Sequence, residues 1–270
     1  MFQSKQYNQL TIYHANNLYQ KQGIVHGFSS RIGGYSEAPY QGLNLGLTSG
    51  DAITDVQKNR DAFAGALGIL PEQVVSGLQV HGTNIARVTE TDGGKGFLSA
   101  NTALPDTDGL VTNVRGIALM TLYADCVPVL FYDPYAQVIA VCHCGWRGTV
   151  NRMAAKTAGV MINEYGCRAE HILAAIGPSI SQANYEVDKA VLTQFRDAFS
   201  FADELIQPID ELHGKIDLWK ANQLQLEELG LLRDNVEISG FCTYENVDRF
   251  YSHRAEHGIT GRNAALLMLE

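Results

Sequence analysis

The segment from Ile117 to Gly148 constrains the fold more than any other part of the chain. It holds three short apolar runs rich in branched and aromatic residues, 117–123, 129–132 and 138–142, which read as strands. The linker DPYAQ between the last two is a short turn containing Pro134, so these two strands pair as a hairpin. Residues 172–176 and 236–239 are further strand candidates. Helical spacing predicts helices between them. Thr54 reads as the N-cap of a helix ending at Gly68. Thr149 reads as the N-cap of one in which Val150, Met153, Thr157, Met161 and Tyr165 recur on one face. Residues 187–199 and 217–230 supply two more, the last starting at Asp217. Hairpin-like runs without strict βα alternation predict an α+β class rather than a doubly wound α/β sheet.

No repeat, low-complexity tract or Pro/Ser-rich linker divides the 270 residues, so one compact domain spanning 1–270 is expected. Residues 89–107, glycine-containing and poor in apolar side chains, read as a long surface loop or lid. The formal charge of −9 and the lack of Lys/Arg runs argue against non-specific nucleic-acid binding. No apolar stretch reaches 18 residues and the N-terminal segment has no apolar h-region, so neither a membrane span nor a signal peptide is expected, and the reading is cytoplasmic. Five cysteines, three of them crowded between Cys126 and Cys144, suit metal binding or catalysis better than a disulfide framework.

The densest chemistry lies in Cys142-His143-Cys144-Gly145-Trp146-Arg147-Gly148, where an apolar strand runs into a helix. Such a junction aims side chains out of a sheet end, and Arg147 adds a full positive charge there. A buried strand end with a structural arginine is the bland alternative, but this composition between two glycines is a poor packing recipe. Asp125 and Cys126 interrupt two strands, and His81 sits in Gln79-Val80-His81-Gly82-Thr83. His81, Cys126 and His143 together offer two imidazoles and a thiolate, the three-ligand set of a catalytic zinc site with an open fourth position. The spacing matches no local zinc ribbon, and a set using Cys142 or Cys144 remains open. If the strand persists through this segment, His143 faces opposite to both cysteines.

Arg60 falls on the apolar stripe of Val56, Phe63 and Leu67, so it either makes a structural contact or emerges into a pocket to bind phosphate. The loops SRIGG, carrying Arg31, and GLNLG, carrying Asn44, read as turns or as ligand cradles. Asp106 and Asp108 close the long loop as an ordinary turn or as a proton-handling carboxylate.

The motifs SRIGGYSEAPYQGLNLG, QVHG, DTDGLVT, ADCVPVLFYDP, CHCGWRGT, GPSISQANYEV and FYSHRAEHGITGRNAAL occur in this order. On these the chain resembles the YfiH/YlmD family, also called the laccase-domain or multicopper polyphenol oxidase family, from about Phe28 to Leu267. The resemblance implies a single α+β domain like the catalytic domain of cytotoxic necrotizing factor. It implies zinc held by His81, Cys126 and His143, with copper as an alternative metal. It also implies a purine nucleoside phosphorylase acting on adenosine, inosine, guanosine and methylthioadenosine, with adenosine deaminase activity. Expected catalytic residues are these three and Asp108. Arg31, Asn44, Arg60 and Arg147 are expected to bind substrate, namely purine nucleoside and phosphate, in a monomer or weak homodimer. The acidic global charge favours uncharged nucleosides over nucleotides. Two departures stand out: Cys144 replaces the usual Ala, and Ser179 the usual Cys. Cys144 adds a soft ligand that could recruit copper. The deaminase His-x-Glu pattern is absent at His81, so Asp108 or Asp125 would have to carry the proton. A copper polyphenol oxidase is the alternative activity. Its two copper centres need roughly ten histidines with His-x-His pairs, whereas this chain has 8 and no such pair. A cell-division-associated binding role is the non-catalytic reading.

Overall fold

A computed structural model describes residues 2–270. The chain opens with β1 (Gln3–Tyr7), β2 (Leu10–His14), the short α1 (Asn16–Tyr19), β3 (Ile24–Ser29), α2 (Ile53–Ala66) and β4 (Val74–Ser76). Then come β5 (Ile85–Arg87), β6 (Gly109–Thr112), β7 (Ala118–Tyr123), β8 (Val127–Asp133), β9 (Val138–Cys144), α3 (Trp146–Val150) and α4 (Met153–Tyr165). The last part holds β10 (Leu173–Ile176), β11 (Glu186–Asp188), α5 (Lys189–Ala198), α6 (Ala202–Leu205), β12 (Ile206–Pro208), β13 (His213–Ile216), α7 (Leu218–Glu228), β14 (Val236–Ile238) and β15 (Asn263–Leu269).

Two six-stranded sheets carry the molecule, ordered β1-β2-β3-β15-β7-β4 and β14-β10-β8-β9-β6-β5. Period-two alternation sorts their side chains into three cores. Phe28, Leu119 and Leu267 of the first sheet meet Leu130, Val141 and Ala175 of the second. On the outer face of the first sheet, Ile12, Met120 and Leu266 pack with Phe63 and Ala64 of α2. On the outer face of the second, Val129, Phe131, Ala140 and Cys142 pack with Met153, Ala154 and Ala158 of α4. The result is four layers, helix, sheet, sheet, helix, with each large buried side chain contributing about 1.5–3 kcal/mol. The small sheet β11-β13-β12 completes the mixed fold. Among the described residues, no helix is long and apolar enough to cross a membrane.

The expected hairpin is β8 with β9, antiparallel, with Val127 opposite Cys144. The strand at 117–123 does not join them: β7 pairs with β15 in the other sheet, so Ala124-Asp125-Cys126 is the crossing from one sheet to the next. Two helix starts differ from expectation. α2 begins at Ile53 after Ala52, whose carbonyl accepts from Asp55 and Val56, so Thr54 lies inside the first turn. The helix after β9 begins at Trp146, breaks, and restarts at Met153 after Arg152 at φ 62°. Thr149 is therefore not a cap. It is buried, and its hydroxyl accepts from Asn222 of α7. Asp217, by contrast, caps α7 as its sequence predicts, accepting from Lys220 N.

Residues 89–107 are not a free lid. Arg60 is 1% exposed and donates Nε to Leu45 O and Nη1 to Gly96 O and Phe97 O, each at 2.7 Å. Phe97 is buried in the core beside Phe63. A guanidinium on the apolar stripe of α2 thus staples two loops by satisfying three interior carbonyls.

Candidate functional site

The strand does persist to Cys144. Cys142 and Cys144 therefore face the α4 side, their sulfurs 3.4 Å apart, while His143 faces the gap between the sheets. This excludes the two cysteines from the site that His143 enters. His81, Cys126 and His143 converge there, with their ligating atoms all within 4.8 Å of one another. The two imidazoles meet edge to face, centroids 4.9 Å apart.

Asp108, just before β6, organises both histidines. Its carboxylate accepts from the backbone N–H groups of Val80, His81 and Gly82 at 3.1, 3.1 and 2.8 Å, and from His143 Nδ1 at 2.9 Å. A carboxylate can only accept here, so the proton is on Nδ1 and Nε2 is left free for a metal. The same hydrogen bonds hold His81 at φ 61°, a conformation uncommon for a non-glycine residue. Asp108 does not line the cavity, and its side chain is wholly buried. Its oxygens accept from these groups and it faces the two histidines, not the cavity where the sequence expectation has it handle a proton.

Cys126 is aimed by its neighbour. Asp125 sits at φ 79°, its carboxylate accepting from Thr243 Oγ1 (2.6 Å), Ser252 Oγ (2.8 Å) and Arg254 N (2.7 Å). Gly145 clears the space: a Cβ there would lie 3.0 Å from Cys126 Sγ and 3.1 Å from His81 Cδ2. Burial pushes the Cys126 thiol up, but the charge and hydrogen bond of His143, aided by His81, hold it down at about 6. Burial works against a charged His143 too, yet the Cys126 thiolate and the Asp108 hydrogen bond raise it to about 10. The metal-free pair is thus a thiolate–imidazolium.

The triad sits on the wall of a cavity of about 500 Å³ that Arg60, Arg147, Tyr185, His253, Arg254 and Arg262 also line. Arg147 stacks on Trp146, its guanidinium 4.5 Å from the ring centroid. α3 is too short for its N-terminus to matter, so the charge there is that of the side chain alone. Arg60 has spent Nε and Nη1 on carbonyls, which leaves Nη2 without an acceptor among the described residues. The carboxylate partner that would have made it purely structural is missing among the described residues.

Two expected substrate residues lie elsewhere. Asn44 is fully buried, with Nδ2 donating to Ser49 and Asp51 and Oδ1 accepting from Gly46 N and Arg262 N. It shapes the cavity wall without reaching it. Arg31 is outside the cavity lining, bonded to Glu256 Oε1 (3.0 Å) and Val247 O and lying over the Tyr251 ring. Sequence reasoning passed over Tyr185, His253, Arg254 and Arg262 individually. The density of His and Arg in SHRAEHGITGR was the available signal.

Comparison with known proteins shows what the whole chain is similar to. Residues 25–270 match the family model described as multi-copper polyphenol oxidoreductase laccase. The chain is 37% identical over 239 residues to the purine nucleoside phosphorylase YlmD of Bacillus subtilis, covering 88% of this chain and 86% of that one. It is 35% identical over 252 residues to a purine nucleoside phosphorylase of Bacteroides thetaiotaomicron, covering 91% and 92%. Among solved structures, YlmD from Geobacillus stearothermophilus superposes with a TM-score of 0.94 at 34% identity, over 100% of this chain and 98% of that one. The hypothetical protein YfiH of Bacillus licheniformis gives 0.94 at 31%, over 100% and 99%.

Proposed function

From the premise that this chain belongs to the multi-copper polyphenol oxidoreductase laccase family, together with relatives named YlmD and YfiH, we propose that it is a zinc-dependent purine nucleoside phosphorylase. The observation that carries the reading is one cavity holding a His-Cys-His triad and unpaired guanidiniums. The donor set suits zinc: two neutral imidazole nitrogens and a thiolate, with a carboxylate fixing one imidazole from behind. His81, Cys126 and His143 would hold the ion. When bound, it supplies a Lewis acid beside the reacting groups. Copper is the alternative occupant, since the same donors accept it.

The remaining work falls to the chain's own residues. Phosphate is a dianion and needs planar donors that can engage two oxygens at once. Arg147 offers a fork with no protein hydrogen bond among the described residues, and Arg60 offers Nη2. An oxygen of hydrogen phosphate attacks the anomeric carbon as the bond to the base nitrogen breaks; the base departs with that electron pair and takes up the proton that the phosphate gives up. Adenosine, inosine, guanosine and methylthioadenosine share the groups this requires. Deamination of adenosine would need a proton carrier other than Asp108 and Asp125, which are each committed to three or more donors.

Incubation of zinc-loaded protein with inosine and phosphate should yield hypoxanthine and ribose 1-phosphate. Arg147→Lys, which keeps the charge and loses the fork, should raise the KM for phosphate more than it lowers kcat. Base release without phosphate would indicate hydrolysis. Inosine from adenosine with no base release would leave only the deaminase. No turnover of any purine nucleoside would overturn the proposal.

A further inference from the structure

Phosphorolysis of an uncharged nucleoside brings one dianion into the cavity, yet four guanidiniums line it: Arg60, Arg147, Arg254 and Arg262. Asp125 is the only carboxylate in that lining, and its oxygens are already taken by Thr243, Ser252 and the Arg254 backbone. None of the four arginines is ion-paired among the described residues. The global charge of −9 is therefore reversed locally, and the expectation that it disfavours nucleotides does not hold at this cavity.

Arg254 and Arg262 come from one C-terminal loop, and that loop is held from several sides. Glu256 accepts from Ser252 N (3.2 Å), Thr260 Oγ1 (2.6 Å) and Arg31 Nη1 (3.0 Å). Asp125 accepts from Ser252 Oγ and Arg254 N, and Asn44 from Arg262 N at 2.8 Å. Gly46 lets Arg262 pack against the backbone, since a Cβ there would lie 2.7 Å from Arg262 Cγ. Arg254 spends only Nη1, on Glu186 O, and Arg262 only Nη1, on Thr260 O and Gly261 O. Among the described residues, each keeps Nε and Nη2 without a hydrogen-bond acceptor. Two guanidiniums held by their loop, with no ion pair among the described residues, thus line one ligand-sized cavity beyond the pair assigned to the attacking phosphate.

We propose that Arg254 and Arg262 receive a phosphate carried by the organic ligand itself, so that the cavity binds purine nucleoside 5′-monophosphates in preference to nucleosides. The purine part of this ligand rests on the phosphorylase reading, and the phosphate part rests on the arginines alone. It also gives Arg31 a place: it is a positioning residue that acts through Glu256 on the loop.

Calorimetric titration of the protein with inosine and with inosine 5′-monophosphate at low salt tests the proposal. Hydrogen bonds to a charged group predict the nucleotide to bind about tenfold or more tightly than the nucleoside, with the advantage shrinking as salt is added. Arg254→Gln, at an exposed position, should reduce the nucleotide-to-nucleoside affinity ratio toward one, and Arg254→Lys should retain part of it. The ratio cancels any general loss of folded protein. Equal affinities in the unaltered protein, or a ratio unchanged by Arg254→Gln, would overturn the subsite. Inosine phosphorolysis measured in parallel separates the two readings: turnover without nucleotide preference sinks the subsite alone, and nucleotide preference without turnover sinks the phosphorylase alone.

Discussion

Cys126 immediately precedes β8 and Cys144 ends β9, joined through the pair Val127–Cys144, yet Cys126 turns to the cavity and Cys144 to the α4 side. Burial raises both thiols, yet they end far apart. Cys144 rises well above its ordinary value because desolvation is reinforced by the neighbouring Cys142 thiol. Cys126 falls to about 6 because His143 and His81 face it. Depth alone does not make a sulfur reactive or inert; the side chains across the gap decide. At this end of the hairpin the α4 side is apolar packing, whereas His143 on the other side lines a charged cavity; farther along, that side too is apolar core.

The sharpest way to break this contrast is to remove each sulfur in turn. Cys126→Ala should lose the metal and all phosphorolysis, read by metal analysis per chain and by product. Cys144→Ala should keep both and cost about 1–2 kcal/mol in thermal unfolding. Metal retained in the first variant, or lost in the second, would exchange the roles of the two faces.

Asp108→Asn should leave the α4 face untouched and weaken metal binding by about 10- to 100-fold, as measured by chelator competition. Next in size is the pH effect. Below about 10, His143 in the metal-free protein holds a proton that the metal must displace. Metal affinity should therefore rise with pH, at least tenfold per unit between about 6 and 10, and more steeply below 6, where Cys126 is protonated too. Alkylation of the stripped protein should follow a midpoint near 6 at Cys126 and leave Cys144 unmodified over the same range. The smallest expected effect is that of Gly145→Ala. Its methyl would press on Cys126 Sγ and His81 Cδ2 at about 3 Å, so metal affinity should fall several-fold with little change in unfolding temperature. A stability loss matching that of a core substitution would mean that this face, too, is held mainly by packing.

Much was legible before any coordinates. Strands, the β8–β9 hairpin, the cap at Asp217 and the two-faced character of 142–144 follow from local periodicity, because side-chain direction in a strand alternates whatever the surroundings. The triad was legible as chemistry, three N/S donors, though not as a place. Thr54 and Thr149 failed as caps because a hydroxyl before an apolar run is only one way to start a helix, and here Ala52 and Gly145 precede the first turns instead.

What the chain determined by itself is which faces are apolar, which segments are strands and which residues have metal-binding atoms. The tertiary structure alone decided that β7 and β8 part into different sheets, which turns Ala124-Asp125-Cys126 into a crossing and brings Cys126 to two histidines distant in sequence. It also decided that Asn44 and Arg31 brace loops, that Arg60 serves carbonyls while lining the cavity, and that Arg254 and Arg262 face it. The physical reason is the same throughout. Periodicity and caps are properties of neighbours along the chain, whereas a buried polar group takes its meaning from whichever donor or acceptor the packing brings opposite it.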